Sequence, residues 1–350
     1  MEIIIYSWAL ITTFYLLAEV SDRYFIPALD QIAKRLKMSH EMAGATLMAI
    51  GSSAPELFVA IIALVHSGNH EAIGVGTIVG SALFNILVII GASAAVRKVK
   101  LMWQPVLRDL LFYGLSVAAL FFILRDGEVN WIESLVLVIF YGGYLIAVMY
   151  WRKLLKFTDT DSIDDDYIEE GELKGWKKIF QPLNYVLRKI FPPPKHYIAT
   201  FALSVLAIAV LCWILVESAI GISQILDIPE IIIALTVLAV GTSIPDMISS
   251  VIVAKQGRGG MAVSNAVGSN IFDILIGLGL PWLLITLIKG SSISTQAEGL
   301  NESVILLLAS VLLIFIAFLI SRWRIGQRLG YTLIVIYLLY IGKEIFDLYS

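Results

Sequence analysis

Apolar residues recur along this chain in runs of roughly 20, the length that carries an α-helix across about 30 Å of hydrocarbon. Ten such runs are predicted, and all but one of the polar interruptions are short. In the first half they cover about 3–20, 43–65, 72–96, 106–124 and 131–150; in the second, about 197–220, 228–254, 261–288, 303–320 and 329–348. Lipid offers no water to unpaired backbone groups, so each run is expected as a helix. The pattern predicts an all-α membrane protein with ten transmembrane helices in two five-helix repeats, residues 1–151 and 197–350, joined by a linker at 152–196. An odd number of helices per repeat inverts the second relative to the first. The first run has no basic flank or small-residue cleavage site and carries Glu19 and Asp22 at its far end, so a helix is expected there rather than a cleaved signal peptide.

Basic residues set the orientation. Assigning loops alternately to two sides puts 22 of the 25 Lys and Arg residues on one side and only Arg125, Lys289 and Lys343 on the other. Both termini are therefore expected outside and the central linker in the cytoplasm. Composition agrees with a membrane location: 59% of residues are hydrophobic, 15% are charged, and the mean hydropathy is +0.86. A net charge of −3 with no basic cluster among aromatics excludes a nucleic-acid partner and leaves membrane lipid.

The linker has an acidic part, around Asp159 to Glu172, and a basic amphipathic part. Asp159, Asp161, Asp165 and Glu170 approach calcium-loop spacing, but Asp164 stands where the turn glycine belongs, so a solvated loop is expected. From Trp176 on, Ile179, Phe180, Leu183, Val186, Leu187 and Ile190 alternate with basic residues at helical spacing, broken by Pro182. That pattern suits a segment lying on the inner leaflet.

Sliding the chain on itself by about 190 residues exposes an internal repeat. Thr46 to Glu56 reads TLMAIGSSAPE and Thr236 to Asp246 reads TVLAVGTSIPD; Val79 to Leu87 reads VGSALFNIL and Val267 to Leu275 reads VGSNIFDIL. Each block falls inside a predicted span. Pro55 and Pro245 cannot donate to the carbonyls of Gly51 and Gly241, so both are expected to break their helices at mid-depth. Irregular backbone survives there only inside protein or beside a hydrated cavity, which is where transporters bind ions.

Beside these prolines stand the hydroxyls of Ser52, Ser53, Thr242 and Ser243 and the carboxylates of Glu56 and Asp246. Asp273 in the eighth span occupies the position of Asn85 in the third. An acid near the centre of a membrane helix costs about 2.5 to 3.5 kcal/mol on insertion scales, so three of them imply bound cations or water. Helical spacing puts Ala49, Ser53 and Glu56 on one face, and likewise Ser81 with Asn85 and Ser269 with Asp273. Carboxylate, hydroxyl, amide and carbonyl oxygens are hard ligands suited to calcium and sodium. His40, His66, His70 and His196 lie in or beside loops and Cys212 is the only cysteine, so no soft-metal centre is expected.

These stretches resemble the alpha-repeats of the cation/calcium exchanger superfamily, and most closely its potassium-dependent sodium/calcium exchanger branch. The resemblance rests on AGATLMAIGSSAPELF and GTIVGSALFNIL in the first half, and on GTSIPD and MAVSNAVGSNIFDIL in the second. It implies a secondary antiporter, not an enzyme, that needs no cofactor and exchanges sodium for calcium by alternating access, with potassium as a further transported ion. Glu56 and Asp246 would coordinate calcium, aided by Ser52 and Thr242. Ser53, Ser81, Asn85, Ser243, Ser269 and Asp273 would complete sodium or shared sites, with the carbonyls of Ala49 and Ala239 contributing and Asp273 standing where that branch links an acid to potassium. The short central loop departs from the animal members and points to a prokaryotic plasma membrane.

Other readings bound this one. Protons in place of sodium would give a proton-driven calcium antiporter on the same acids; a channel and an intramembrane aspartyl protease fit the repeats and the acid contexts less well. Glu19 and Glu217 read as interfacial charges, and Gly76, Gly80, Gly268 and Gly277 as small residues that let helices pack closely.

Overall fold

A computed structural model describes residues 2–36, 49–66, 70–155, 181–192, 196–255, 257, 259–295 and 300–347. The first span is α1 (Glu2–Val20), which passes through a π turn (Ser21–Phe25) into α2 (Ile26–Arg35). The second is the short α3 (Ala49–Ser52) followed by α4 (Ala54–Val65). The third is α5 (Glu71–Phe84), a π turn (Asn85–Ile89) and α6 (Ile90–Val96), followed by β1 (Val99–Lys100). Then come α7 (Trp103–Leu124), β2 (Glu128–Val129), α8 (Trp131–Leu155) and the linker helix α9 (Gln181–Ile190). The second repeat holds α10 (Tyr197–Leu226), then α11 (Glu230–Ile233), a π turn (Ala234–Leu238) and α12 (Ala239–Lys255). It ends with α13 (Gly259–Phe272), a π turn (Asp273–Leu278) and α14 (Gly279–Lys289), then β3 (Ile293–Ser294), α15 (Leu300–Ile320), β4 (Arg324–Ile325) and α16 (Gln327–Asp347).

Among the described residues nine helices are long and apolar enough to cross a membrane, and α4 is a shorter apolar helix. They match the ten expected spans, except that the start of the second, 43–48, lies outside the described residues. The protein is an integral membrane protein.

Two small antiparallel ribbons bear on the inversion. β1, after the third span, pairs with β4, after the ninth; β2, after the fourth, pairs with β3, after the eighth. Exchanging the first repeat for the second turns one ribbon into the other, as a two-fold axis in the membrane plane requires. One end of the bundle carries β1 and β4, and also Arg97, whose Nη1 donates to the Lys255 carbonyl at 2.9 Å. Loops assigned to one side from their basic residues therefore meet on one side.

Apolar packing divides the molecule into two bodies. One cluster runs through α4 to α8 and α11 to α16, with Trp282, Tyr113 and Phe318 among its fully buried side chains. The other joins the first span to α10 and α9, against the facing surfaces of α4, α5 and α11. Glycines let the elements meet. A Cβ on Gly80 would run into the Leu235 carbonyl and the Ala239 side chain, one on Gly76 would come within 2.9 Å of Ala234, and one on Gly277 within 3.1 Å of Ile78. Gly268 does not share this role, since its nearest neighbour, the Tyr144 hydroxyl, would lie 3.9 Å away.

The two prolines behave differently. Ser53 leaves helical geometry at φ −96° and ψ 9°, and α4 restarts with Pro55 in its first turn, where a missing N–H costs no hydrogen bond. The break expected at Pro245 does not occur: α12 runs unbroken from Ala239 to Lys255. The irregularity of that span sits earlier, in the π turn at Ala234–Leu238. Thr242 Oγ1 folds back on the Leu238 carbonyl at 3.0 Å and on Ala239 at 3.4 Å, so this hydroxyl donates to the main chain of its own helix.

Pro182 is the second residue of the described helix α9, and the part of the amphipathic segment ahead of it, 176–180, lies outside the described residues. α9 lies against the first span: Asn184 Nδ2 donates to the Tyr15 hydroxyl at 2.7 Å, and Phe191 stacks on Tyr24 with ring centres 4.0 Å apart. Val186 and Ile190 remain exposed on its outer face, as suits a helix against lipid. The acidic stretch from Asp159 to Glu172 lies outside the described residues.

Candidate functional site

Four spans converge where the repeat motifs fall. α4 brings Glu56 beside the break at Ser53; α5 brings Ser81 and leads into Asn85; α12 brings Thr242, Ser243 and Asp246; α13 brings Ser269 and leads into Asp273. Asn85 and Asp273 each open a π turn, so the two repeats place a polar side chain at matching irregularities. A π turn widens the helix and re-aims the side chains around it, which is why such turns collect at functional sites.

The serines tie the spans together in a symmetric pattern. Ser53 and Ser269 share a hydrogen bond of 2.9 Å, and Ser81 and Ser243 share one of 2.8 Å. The repeat maps Ser53 onto Ser243 and Ser81 onto Ser269, so each pair is the image of the other. Ser243 Oγ also donates to Glu56 Oε1 at 3.5 Å, and Ser269 Oγ to Asp246 Oδ2 at 3.3 Å. Ser81 and Thr242 complete a ring of hydroxyls about Glu56.

All three acids are buried: Glu56 is 2% exposed, Asp246 6% and Asp273 0%. They act on one another electrostatically, and Asp22 of the first π turn reaches Asp246 in the same way. No three His, Cys, Asp or Glu side chains among the described residues gather tightly enough to hold a metal by themselves. An ion here would need the interleaved hydroxyls and amides as well as the acids.

Acceptors outnumber donors at this centre. Glu56 Oε2, both carboxyl oxygens of Asp273 and Asn85 Oδ1 are buried and have no hydrogen-bond partner of good geometry, although the Ser53 and Ser269 hydroxyls stand beside Asp273. Leaving a buried acceptor unmade costs about 1 to 3 kcal/mol, more for a charged one. A hard cation meets such a demand directly.

Ser52 is half-buried on α3, Ala49 opens that helix, and Ala239 is buried in α12 with its carbonyl facing the Thr242 hydroxyl. Cys212 of α10 is buried and donates weakly to the Pro55 carbonyl at 3.5 Å. Glu19 pairs with Arg23 at 2.7 Å, and Glu217 with the His66 ring at 3.0 Å, both away from the acids of the centre.

Asn270 was not among the sequence candidates, yet it is fully buried and makes two hydrogen bonds across to the first repeat, with Asn85 and the Ala82 carbonyl. Its one signal is an amide inside an apolar run, at the place where the first repeat carries Ala82.

The chain matches the family described as sodium/calcium exchanger protein over residues 6–150 and 196–344. It is 30% identical to the sodium/potassium/calcium exchanger 4 of Mus musculus, over 94% of this chain and 79% of that protein. It is 31% identical to the sodium/potassium/calcium exchanger 5 of Homo sapiens, over 96% and 82%. Among solved structures, the sodium-calcium exchanger NCX_Mj soaked with sodium and strontium superposes with a TM-score of 0.59 at 26% identity, covering 97% of this chain and 99% of that one. The H+/Ca2+ exchanger CAX shares the fold, with a TM-score of 0.66 at 15% identity over 97% of this chain and 80% of that one. With the family matched along both repeats and the four motif-bearing spans meeting at one buried centre, this chain belongs to the sodium/calcium exchanger family.

Proposed function

We propose that this protein is a secondary antiporter that exchanges sodium for calcium across the membrane, with potassium carried as a further ion. The observation that carries the proposal is the set of buried oxygens without donors on Glu56, Asn85 and Asp273, at the meeting point of both repeats. Calcium, or several sodium ions, neutralises this set in turn. Glu56 and Asp246 hold calcium with Ser52 and Thr242, while Ser53, Ser81, Asn85, Ser243, Ser269 and Asp273 serve sodium or shared positions, and the Ala49 and Ala239 carbonyls contribute further oxygens. Asp273 is the potassium-linked acid. The names of the relatives, sodium/potassium/calcium exchangers, support this choice of ions.

Movement follows from the two-body packing. The first span and α10 form a panel across the broken second span and α12, with the Phe14 ring filling the space a Cβ of Gly241 would need. Sliding that panel uncovers the centre to one side and then the other, and an unneutralised centre resists being covered. The repeats, 1–151 and 197–350, act as inverted halves, with the linker 152–196 in the cytoplasm and both termini outside. The shortness of the linker supports a prokaryotic plasma membrane.

Calcium uptake into sodium-loaded proteoliposomes, measured with and without potassium, tests the proposal. Uptake driven by outward sodium is expected; uptake that ignores sodium and follows a proton gradient would assign the protein to proton-driven antiport instead.

A further inference from the structure

Asn270 joins the repeats through a relay whose direction is fixed at one end. Its Nδ2 donates to the Ala82 carbonyl at 3.1 Å, and its Oδ1 accepts from Asn85 Nδ2 at 2.9 Å. A backbone carbonyl only accepts, so Asn270 must turn its NH2 toward Ala82 and its oxygen toward Asn85. Asn85 must then answer with its own NH2. The oxygen of Asn85 is left on the far side of its amide, buried and without a donor. An unanchored amide could present either end to the centre, and the NH2 end repels a cation.

We infer that Asn270 is a positioning residue, which locks the Asn85 amide so that its oxygen, never its nitrogen, faces the ion. The fully buried Tyr113 of α7 stands beside Asn270. Asn270 touches no ion. Its contribution is that Asn85 enters every transport cycle as a preformed oxygen ligand. The inference rests on the exchange reading for the identity of the ions, and on the amide geometry alone for the lock.

The test is a double-mutant cycle on the full-length protein, with half-saturating calcium measured both by equilibrium binding of isotopic calcium to purified protein and by flux. Asn270→Ala is expected to raise half-saturating calcium about five- to tenfold, the equivalent of one hydrogen-bond-sized loss, with the maximal flux largely kept. In an Asn85→Ala background there is no oxygen left to aim, and Asn270→Ala should add less than about twofold. Equal effects in both backgrounds, or a loss confined to maximal flux, would overturn the lock and leave Asn270 a packing residue. Should Asn270→Ala fail to fold, the near-isosteric Asn270→Leu, which keeps the volume and removes both hydrogen bonds, is read in the same two backgrounds: a rise of about five- to tenfold that disappears beside Asn85→Ala supports the relay, and equal effects in both backgrounds reject it. Parent protein that binds calcium without exchanging it for sodium would remove the exchange reading and leave the lock standing.

Discussion

The hydroxyls of Ser53 and Ser269 lie 2.9 Å apart, although 216 residues separate them in the chain. Their symmetry images, Ser243 and Ser81, make the same bond at 2.8 Å. Two matched bridges thus tie the second span to the eighth and the third to the seventh around the buried acids. A serine engaged this way can turn its lone pairs toward an ion while its neighbour keeps its proton satisfied. Ser53→Ala and Ser243→Ala should therefore weaken ion binding by similar amounts, about five- to tenfold each, the size of one lost hydrogen bond. Half-saturating sodium and calcium in flux assays check this, and a large effect at one serine with none at the other would break the symmetry.

Glu56→Gln and Asp246→Asn should abolish exchange, by more than the roughly 10- to 100-fold that partners one step removed from an ion usually cost. The fold should survive. With no ion bound these acids are costly to bury, so the variants should melt at or above the temperature of the ion-free parent. Thermal melting with and without calcium measures both effects, since calcium should stabilise only the parent. A calcium-dependent rise in Glu56→Gln would argue that Glu56 is not a ligand.

Close approach of the third and seventh spans depends on Gly80. Gly80→Ala places a methyl against the Leu235 carbonyl and Ala239, and overpacking of this kind costs about 1 to 3 kcal/mol. Gly142, in α8, has nothing within 4 Å of an added Cβ, so Gly142→Ala should be neutral or slightly stabilising. Melting temperatures of the two variants, side by side, separate packing from helix propensity.

The linker helix is held to the first span by Phe191 on Tyr24 and by Asn184 on Tyr15. Phe191→Ala should loosen α9, with a loss of about 3 kcal/mol for this buried ring. Faster limited proteolysis within residues 181–192 would register the loosening; an unchanged cleavage rate would mean that the stack does not anchor the helix.

Much of this architecture is legible in the sequence because lipid enforces it. Ten apolar runs, their basic flanks and a repeat of about 190 residues are enough to predict inverted halves, since the membrane permits few other solutions. The acids were legible for the same reason, as few processes keep Glu56, Asp246 and Asp273 at that depth. Local backbone was harder to read. Pro55 and Pro245 look alike in sequence, yet one begins a helix and the other sits inside one, because the π turn at Ala234–Leu238 takes up the irregularity earlier in the seventh span. Asn270 is not legible from the repeat, because its first-repeat counterpart is Ala82 and its two hydrogen bonds cross the symmetry without an image.

The most direct measurement is competition: isotopic calcium bound to purified protein at equilibrium, titrated with sodium, in the parent and in Glu56→Gln. Alternating neutralisation of one oxygen centre predicts that sodium displaces calcium fully and competitively, and that Glu56→Gln binds no calcium to displace. Calcium that stays bound at saturating sodium, or that binds Glu56→Gln as tightly as the parent, would contradict it.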